Sequence, residues 1–226
     1  VGAGKFIKQS SGGGETIARL SSEGDYEVPY GPSIPSMYGL IASQFMHERN
    51  ARPEHLARVA VSARRWALRN PRALMHSRGE ITVEDVLSSR MIADPFHYLD
   101  CSVPTDGGGA VLVTSSGLAR SIARQPAHVL GYGEIHPHSS LSEAGSNLID
   151  SGAIRSGARA FNKAGIGHDD IDVVQLYDAF SVTPLLLLEN LGFCAPGCAA
   201  DFVQSGATDP GGNLPMNTGG GLLSFG

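Results

Sequence analysis

Residues 169–193 constrain the architecture of this chain more than any other stretch. Residues 171–176, near its start, are mostly apolar and β-branched and too few for a typical helix, so they predict a short buried strand. A polar turn follows, and then an apolar helix for which Ser181 is the expected N-cap. Pro184 is tolerated in a first helical turn because it lacks an N–H group, and Gly192 ends the run of leucines.

Tyr177 and Asp178 fall where the carboxyl end of this strand meets the helix. Open α/β sheets bind their ligands at such positions, so both residues are candidates for a functional site. The alternative is a boundary tyrosine whose ring is packed and whose hydroxyl group faces water. The residues alone leave both interpretations open.

Several separated motifs, in the same order along the chain, resemble the thiolase superfamily. They are Leu-Tyr-Asp-Ala-Phe at 176–180, Leu-Gly-Phe-Cys at 191–194 and the glycine-rich stretch at 213–226. The resemblance is closest to the sterol-carrier or lipid-transfer branch, and within it to the steroid side-chain aldolases. It implies a thiolase-like α/β fold, layered as helix, sheet, helix, sheet, helix in the complete protein, with an inserted and mostly helical loop domain.

Composition is typical of a soluble globular protein. The chain has 226 residues, of which 42% are hydrophobic and 17% charged, which suffices for one large domain or a domain with a subdomain. The net charge of −5 argues against nucleic-acid binding. We expect no membrane span and no secretory leader. Three cysteines, an odd number, do not indicate a disulfide framework, so the expected location is the cytoplasm.

Both ends of the sequence suggest a fragment. The chain begins at Val1 without methionine, in a Val-Gly-Ala-Gly segment that resembles the end of a strand, and it stops at Gly226 after a glycine-rich turn. By the resemblance, the region of the family's nucleophilic cysteine lies upstream, and a Gly-His-Pro-type motif begins at about Gly226. We therefore expect the isolated chain to expose a sheet edge and a dimer face.

The resemblance implies four segments. Residues 1–4 end the sheet of the first half, 5–98 form the loop domain, 99–126 contain the last strand of the first half and its connection, and 127–226 are an incomplete C-terminal half. The glycines at 12–14 read as a flexible connection, because no strand-turn-helix frame for phosphate binding surrounds them.

Helices are predicted within the loop domain. The first covers 36–49, with Ser36 as N-cap and one apolar face formed by Met37, Leu40, Ile41 and Phe45. The second begins at Pro53 and has an apolar stripe of Leu56, Val59, Ala60 and Ala63. Its other sides carry Arg58, Arg64, Arg65 and Arg69, which form either a solvated face or an attraction for coenzyme A phosphates. A capping box at 82–85 predicts a short third helix.

A second buried strand is predicted at 110–113, and another strand at 128–135. Between the second of these and Tyr177 lies a predicted helix that ends at Gly165 and has one apolar face, formed by Ile154, Ala158 and Phe161.

None of the cysteines or histidines predicts a metal site. Cys101 is expected in a small apolar environment and not as a nucleophile, because no basic partner is evident to lower its pKa. His136 and His138 lack a third ligand and are interpreted as part of a substrate-side loop. Cys194 and Cys198 are four residues apart, but a closed zinc site needs a second pair.

The motif at 177–180 determines the predicted chemistry. Thiolases have Asn or His at the position that Tyr177 occupies, so the resemblance to the aldolase branch implies Tyr177 as the catalytic acid or base. The implied reaction is retro-aldol cleavage of a β-hydroxyacyl-coenzyme A, for instance on a steroid side chain. A phenol, with an ordinary pKa of about 10, suits this task only if the site matches it.

Gly219, Gly220, Gly221 and Asp178 complete the predicted site as substrate-binding residues. Backbone N–H groups of the glycine turn would face the ligand, although a tight structural turn is an equal alternative. Asn217 and Ser224 are expected behind this shell. We predict no cofactor bound by the chain, since coenzyme A enters as part of the substrate.

Partners and alternative functions follow from the same resemblance. It implies a homodimer through the thiolase sheet and, in some members, a small partner subunit with an oligonucleotide-binding (OB) barrel and a zinc ribbon. One alternative function is an acetyl-coenzyme A acyltransferase, a thiolase of lipid degradation. A second is a non-catalytic subunit that binds acyl-coenzyme A or sterol in a heteromer.

Overall fold

A computed structural model describes residues 2–4, 13–123 and 125–226. Val1 and residues 5–12, with which the first two predicted segments begin, lie outside the described residues. The helices among the described residues are α1 Gly13–Leu20, α2 Ile34–Arg49, α3 Pro53–Ala67, α4 Val83–Ser88, α5 Ser116–Ile122, α6 Ala153–Ala164, α7 Val182–Asn190, α8 Ala199–Gln204 and α9 Gly221–Ser224. The strands are β1 Gly2–Gly4, β2 Met91–Ala93, β3 Phe96–His97 and β4 Gly107–Gly109.

Helix α3 forms the centre of the core. It begins at Pro53, as predicted, and every residue from 56 to 64 is buried because α4, α7, α8 and α9 pack around it. The predicted apolar stripe of Leu56, Val59, Ala60 and Ala63 is confirmed as core. A fully buried leucine or valine side chain contributes about 1.5–3 kcal/mol, so this helix is a main source of stability.

The predicted basic face of α3 is wrong for Arg58 and Arg64, which are buried. Arg58 Nη2 donates to Asp209 Oδ2 at 2.5 Å, and Arg65 bonds to the same carboxylate oxygen. Arg64 Nη1 donates to the Gly79 carbonyl oxygen at 3.1 Å. A charge is buried only where a partner compensates it, and these partners are not visible from the pattern of the helix itself.

Helix α2 begins earlier than predicted. Its N-cap is Ser33, whose hydroxyl group accepts from the Ser36 N–H at 3.2 Å, while the Ser36 hydroxyl accepts from the Ser33 N–H at 2.9 Å. Ser36 is thus the third helical residue of a capping box, because Pro35 already fits the first turn. Of the predicted apolar face, Phe45 is buried but Leu40 is exposed.

Helix α7 follows the expected pattern in its first turn and at its C-terminal end. Pro184 lies in its first turn, and Gly192 follows it with a φ of +84°. Ser181 occupies the predicted N-cap position, but its hydroxyl group makes no cap bond and instead donates to Asp100 Oδ1 at 2.6 Å. The predicted capping box at Thr82 is confirmed at the start of α4.

The three predicted strands do not form as ladders in the described part of the chain. Residues 171–176 make one parallel bridge, between Val174 and Met216. Just before the predicted strand at 110–113, β4 pairs antiparallel with β1. The apolar residues that follow β4 are largely exposed: Val111 at 86%, Leu112 at 77% and Val113 at 83%. Residues 128–135 form no strand either, since a strand needs a neighbour for its N–H and C=O groups.

Helix α6 also differs from its prediction. It ends at Gly165 as expected, but Ile154 and Ala158 are exposed. Gly157 is its buried residue, at a point where a Cβ atom would lie 2.7 Å from a methyl group of Leu191. No helix in the described part of the chain combines the length and apolar character needed to cross a bilayer.

Candidate active site

The backbone ahead of Tyr177 pairs with the chain at Asn217. The Val174 N–H donates to the Pro215 carbonyl oxygen at 3.0 Å, and the Asn217 N–H donates to the Val174 carbonyl oxygen at 2.9 Å. The side chain of Asn217 continues this pairing, because its Oδ1 accepts from the Leu176 N–H at 2.7 Å and its Nδ2 donates to the Leu176 carbonyl oxygen at 2.8 Å. Asn217 thereby fixes the residue that precedes Tyr177.

Asp178 ties the same segment to the glycine-rich turn. Its buried carboxylate accepts from the N–H groups of Leu222 at 2.8 Å and Leu223 at 3.4 Å, in the first turn of α9. Burial raises the pKa of this carboxyl group, and these hydrogen bonds oppose the rise without cancelling it. The carboxylate is therefore occupied with backbone groups, and its contacts are those of a residue that orients Tyr177.

The predicted glycine turn divides into two parts. Gly219 and Gly221 line a cleft of about 520 Å³ together with Tyr177. Gly220 is buried, and a Cβ atom there would lie 2.9 Å from Cβ of Ala67 in α3. At Gly221, with a φ of +61°, a Cβ atom would lie 1.9 Å from Asp178 Oδ2, so glycine is what allows the carboxylate to reach α9.

Tyr177 separates this cleft from a second cavity. Its side chain is 55% exposed and lines both the cleft and a cavity of about 460 Å³. His136 and His138 line the second cavity, where the sequence predicts a substrate-side loop. His136 Nε2 lies 2.8 Å from Glu134 Oε1. A phenol that lines both cavities can contact the middle of a substrate that spans them.

Tyr38 of α2 also lines the second cavity and was not identified from the sequence. Its ring stacks on Phe180 with a centroid distance of 4.7 Å. Burial raises the pKa of Tyr38 to about 12, and the neighbouring phenol of Tyr177 acts in the same direction. The one sequence signal was its spacing from Ile34 and Ile41, since residues four and three apart share one face of a helix.

Cys101 and Cys194 do not have the environment of nucleophiles. Burial raises the pKa of Cys101 to about 12, and the neighbouring charge of Asp100 adds to the rise. Burial also raises the pKa of Cys194 to about 12, with a further contribution from Glu189. Since the thiolate is the reactive form, neither thiol is activated near neutral pH. Among the described residues no group of three or more His, Cys, Asp or Glu side chains could hold a metal ion.

Comparisons with known proteins agree with this architecture. Residues 133–226 match the model of the thiolase C-terminal domain-like family. The chain is 36% identical over 231 residues to a steroid side-chain-cleaving aldolase of Thermomonospora curvata, covering 98% of this chain and 56% of that protein. It is 32% identical over 206 residues to an acetyl-CoA acetyltransferase of Methanothermobacter thermautotrophicus, covering 91% of this chain and 53% of that protein.

A solved structure, the Ltp2-ChsH2(DUF35) aldolase, superimposes with a TM-score of 0.83 at 33% identity. The superposition covers 96% of this chain and 56% of that one. The chain therefore spans about half the length of the curated relatives it matches. The motifs and these matches together show that the chain has a thiolase-like fold and that residues 133–226 form a thiolase C-terminal-like domain.

Proposed function

We propose that the complete protein cleaves a carbon–carbon bond of a β-hydroxyacyl-coenzyme A by a retro-aldol reaction, with Tyr177 as the acid/base residue. One observation carries the proposal: the half-exposed hydroxyl-bearing side chain of Tyr177 lies between two cavities, where a substrate that spans both would place its central bond. The similarity to a protein named steroid side-chain-cleaving aldolase supports a steroid side chain as the acyl part.

The reaction needs one proton transfer at the site of cleavage and one at the new carbanion. Tyr177, in its phenolate form, accepts the proton of the β-hydroxyl group as the bond between the α and β carbons breaks. The hydroxyl-bearing carbon becomes a ketone, and the bonding electrons pass to the thioester as an enolate, which takes up a proton at its α carbon. Hydrogen-bond donors near the thioester oxygen lower the barrier by stabilising the enolate charge.

The two cavities suggest how the substrate lies. In this proposal the thioester occupies the cleft beside Gly219 and Gly221, and the part that leaves as a ketone occupies the cavity beside His136 and His138. Arg72 lines the cleft and offers a cation to the coenzyme A phosphates, whereas Arg58 and Arg64 are buried and cannot. Coenzyme A thus enters as part of the substrate. Asp178 links the segment that carries Tyr177 to the backbone of α9 through its hydrogen bonds.

The assembly is also a proposal. The solved aldolase takes its name from two components, Ltp2 and ChsH2(DUF35), which favours a heteromer. A small partner subunit of the OB-barrel type is what the resemblance implies. We also propose a homodimer through the thiolase sheet, the four-segment division with its loop domain at 5–98, and a cytoplasmic location. The three cysteines are free, as a reducing compartment would keep them.

A thiolase activity is the second candidate, because a relative is named acetyl-CoA acetyltransferase. The two activities differ in their need for free coenzyme A, which a thiolase consumes. The test supplies the complete protein with a β-hydroxyacyl-coenzyme A with and without added coenzyme A and measures release of the ketone. The proposal predicts release in both cases. Strict dependence on free coenzyme A would establish the thiolase, and binding without turnover would indicate the non-catalytic subunit.

A further inference from the structure

Three spaces in the described part of the chain adjoin one another. Tyr177 lines both the cleft of about 520 Å³ and the cavity of about 460 Å³. Leu141 lines both that cavity and a groove of about 320 Å³. No described residue lines both the cleft and the groove, so the cavity lies between them. The reaction proposed above uses the cleft and the cavity and leaves the groove without a role.

The groove has apolar and aromatic walls. Tyr26, Tyr30 and Leu40 are exposed at 74%, 88% and 58%, and the half-buried side chains of Met37 and Leu141 also line it. Large apolar side chains that stay open to water beside a cavity gain free energy when an apolar group covers them.

The charges around the groove favour a neutral ligand. Glu27 is the carboxylate among the described residues that line it, and its Oε1 accepts from the Ser142 N–H at 2.5 Å while its Oε2 accepts from the Glu23 N–H at 3.2 Å. No Lys, Arg or His belongs to these described lining residues. A charged group placed in the groove would therefore lose its hydration without gaining a partner of opposite charge.

The loop that carries the shared leucine is tied down at two points. Glu27 accepts from the N–H of Ser142, the residue after that leucine. Gln44 of α2 donates from Nε2 to the Ser146 carbonyl oxygen at 2.7 Å and accepts at Oε1 from the Leu148 N–H at 2.8 Å. These bonds fix the loop backbone at the boundary between the cavity and the groove.

Helix α2 forms a wall of both spaces. Tyr38 and Ile41 line the cavity, whereas Met37 and Leu40 line the groove. Successive helical residues point about 100° apart, so these two pairs occupy neighbouring faces of the helix. A ligand that passes Leu141 can therefore continue along α2 from the cavity into the groove.

We propose that the groove extends the substrate site and receives the far end of a long, neutral, apolar acyl part, such as a polycyclic ring system. Leu141 is then the specificity-determining residue at its entrance. The inference rests on the proposed function for the orientation of the substrate, with the thioester in the cleft and the reacting bond at Tyr177. Aromatic side chains such as Tyr26 and Tyr30 offer flat apolar faces to a ring system.

Binding of two ketones to the complete protein tests the groove without turnover. The probes are a four-ring steroid ketone, which reaches the groove, and decalone, a two-ring ketone that ends within the cavity. Leu40→Glu places a charge on the wall of the groove, and Leu141→Trp narrows its entrance. We expect both variants to bind the steroid ketone about tenfold more weakly in isothermal titration calorimetry and to bind decalone as before.

Leu118→Glu is the matched control. Leu118 lies in α5 with an exposure of 53%, close to that of Leu40, and lines none of the three spaces, so this variant should bind both ketones normally. Unchanged affinity for the steroid ketone in both groove variants would overturn the inference, and so would an equal loss for the two ketones. A loss of folding stability in Leu40→Glu without any change in ketone affinity would also overturn it, because another part of the protein would then cover the groove.

Turnover separates this inference from the proposed function. The substrates are two β-hydroxyacyl-coenzyme A thioesters that release the same two ketones. Leu40→Glu should raise KM about tenfold for the four-ring substrate and leave the two-ring substrate unchanged. Equal effects on the two substrates would overturn the role of the groove while the reaction stands. Absence of ketone release from either substrate in the original protein would overturn the proposed function, and the binding result alone would then decide on the groove.

Discussion

The carboxamide of Asn217 bonds to both backbone groups of Leu176, accepting from its N–H at 2.7 Å and donating to its carbonyl oxygen at 2.8 Å. A side chain here takes the place of one residue of a parallel strand. Asn217 has a φ of +51°, a left-handed conformation that asparagine tolerates better than most residues. The glycine-rich turn and the segment before Tyr177 are thus joined as one unit.

Asn217→Ala should weaken this unit. The substitution leaves two half-buried backbone groups of Leu176 without their partner, and each such loss costs about 1–3 kcal/mol where water does not replace the partner. We expect the free energy of unfolding of the complete protein to fall by about 2–4 kcal/mol in urea denaturation. Asn213→Ala, at an exposed position four residues earlier, is the control. Equal stability of the two variants would contradict the role of the carboxamide.

Gly221→Ala and Gly197→Ala form a matched pair. Both glycines have positive φ, +61° and +86°, so alanine is strained at each by about 1–2 kcal/mol. At Gly197 nothing lies within 4 Å of the new Cβ atom, whereas at Gly221 it would lie 1.9 Å from Asp178 Oδ2. The difference in unfolding free energy between the variants therefore measures the clash. We expect Gly221→Ala to be clearly the less stable, and equal values would refute the close approach of Asp178.

The ion pairs of Asp209 predict a loss of stability in acid. Burial alone would raise the pKa of this carboxyl group, but hydrogen bonds from Arg58 and Ser62 and the charges of Arg58 and Arg65 hold its pKa below the ordinary value. The folded protein thus binds this proton less readily than the unfolded chain. The stabilisation is complete above the ordinary carboxyl pKa of about 4 and is lost as the pH falls through the lowered value.

Asp209→Asn should remove this part of the pH dependence. The variant lacks the charge at every pH, so it should be the less stable protein at neutral pH, with a smaller further loss in acid. Urea denaturation at pH 7 and at pH values below 4 measures both effects. A variant as stable as the original protein at pH 7 would show that the buried pair with Arg58 does not contribute to folding.

Asp100 predicts the opposite slope. Burial raises the pKa of its carboxyl group, against hydrogen bonds from Ser181 and the His97 N–H and the charge of His97. Folding therefore favours the protonated form, so stability is highest below the ordinary carboxyl pKa of about 4 and falls as the pH rises through the raised value. In Asp100→Asn the free energy of unfolding should change less with pH over this interval, measured in the same denaturation series. An unchanged dependence of stability on pH would mean that a group other than Asp100 titrates in this interval.

The elements that the sequence predicts well are those whose signals are local. Pro53 and Pro184 open helices, Thr82 caps one and Gly192 follows one, because each depends on backbone preferences within a few residues. The predicted N-cap of α2, Ser36, lies three residues after the observed one, Ser33, because both serines belong to the same capping box and either could be the cap by its residue type.

The features that escaped prediction depend on distant partners. The burial of Arg58 requires Asp209, 151 residues away, and the role of Ser181 requires Asp100. Tyr38 could not be placed beside Tyr177 because nothing in the spacing of α2 shows which element packs on it. The predicted strand at 110–113 failed for a related reason, since its apolar residues indicate burial but do not supply a neighbouring strand.

Tyr177→Phe in the complete enzyme tests the proposed chemistry. The substitution keeps the ring and should change the free energy of unfolding by only about 1 kcal/mol, the value of one hydrogen bond. If the hydroxyl group transfers the proton, kcat should fall about 10²- to 10⁴-fold while KM changes little, because the lost interaction belongs to the transition state. Tyr98→Phe should keep its turnover. Near-normal ketone release by Tyr177→Phe would contradict the proposal and leave Tyr177 as a boundary residue without a chemical role.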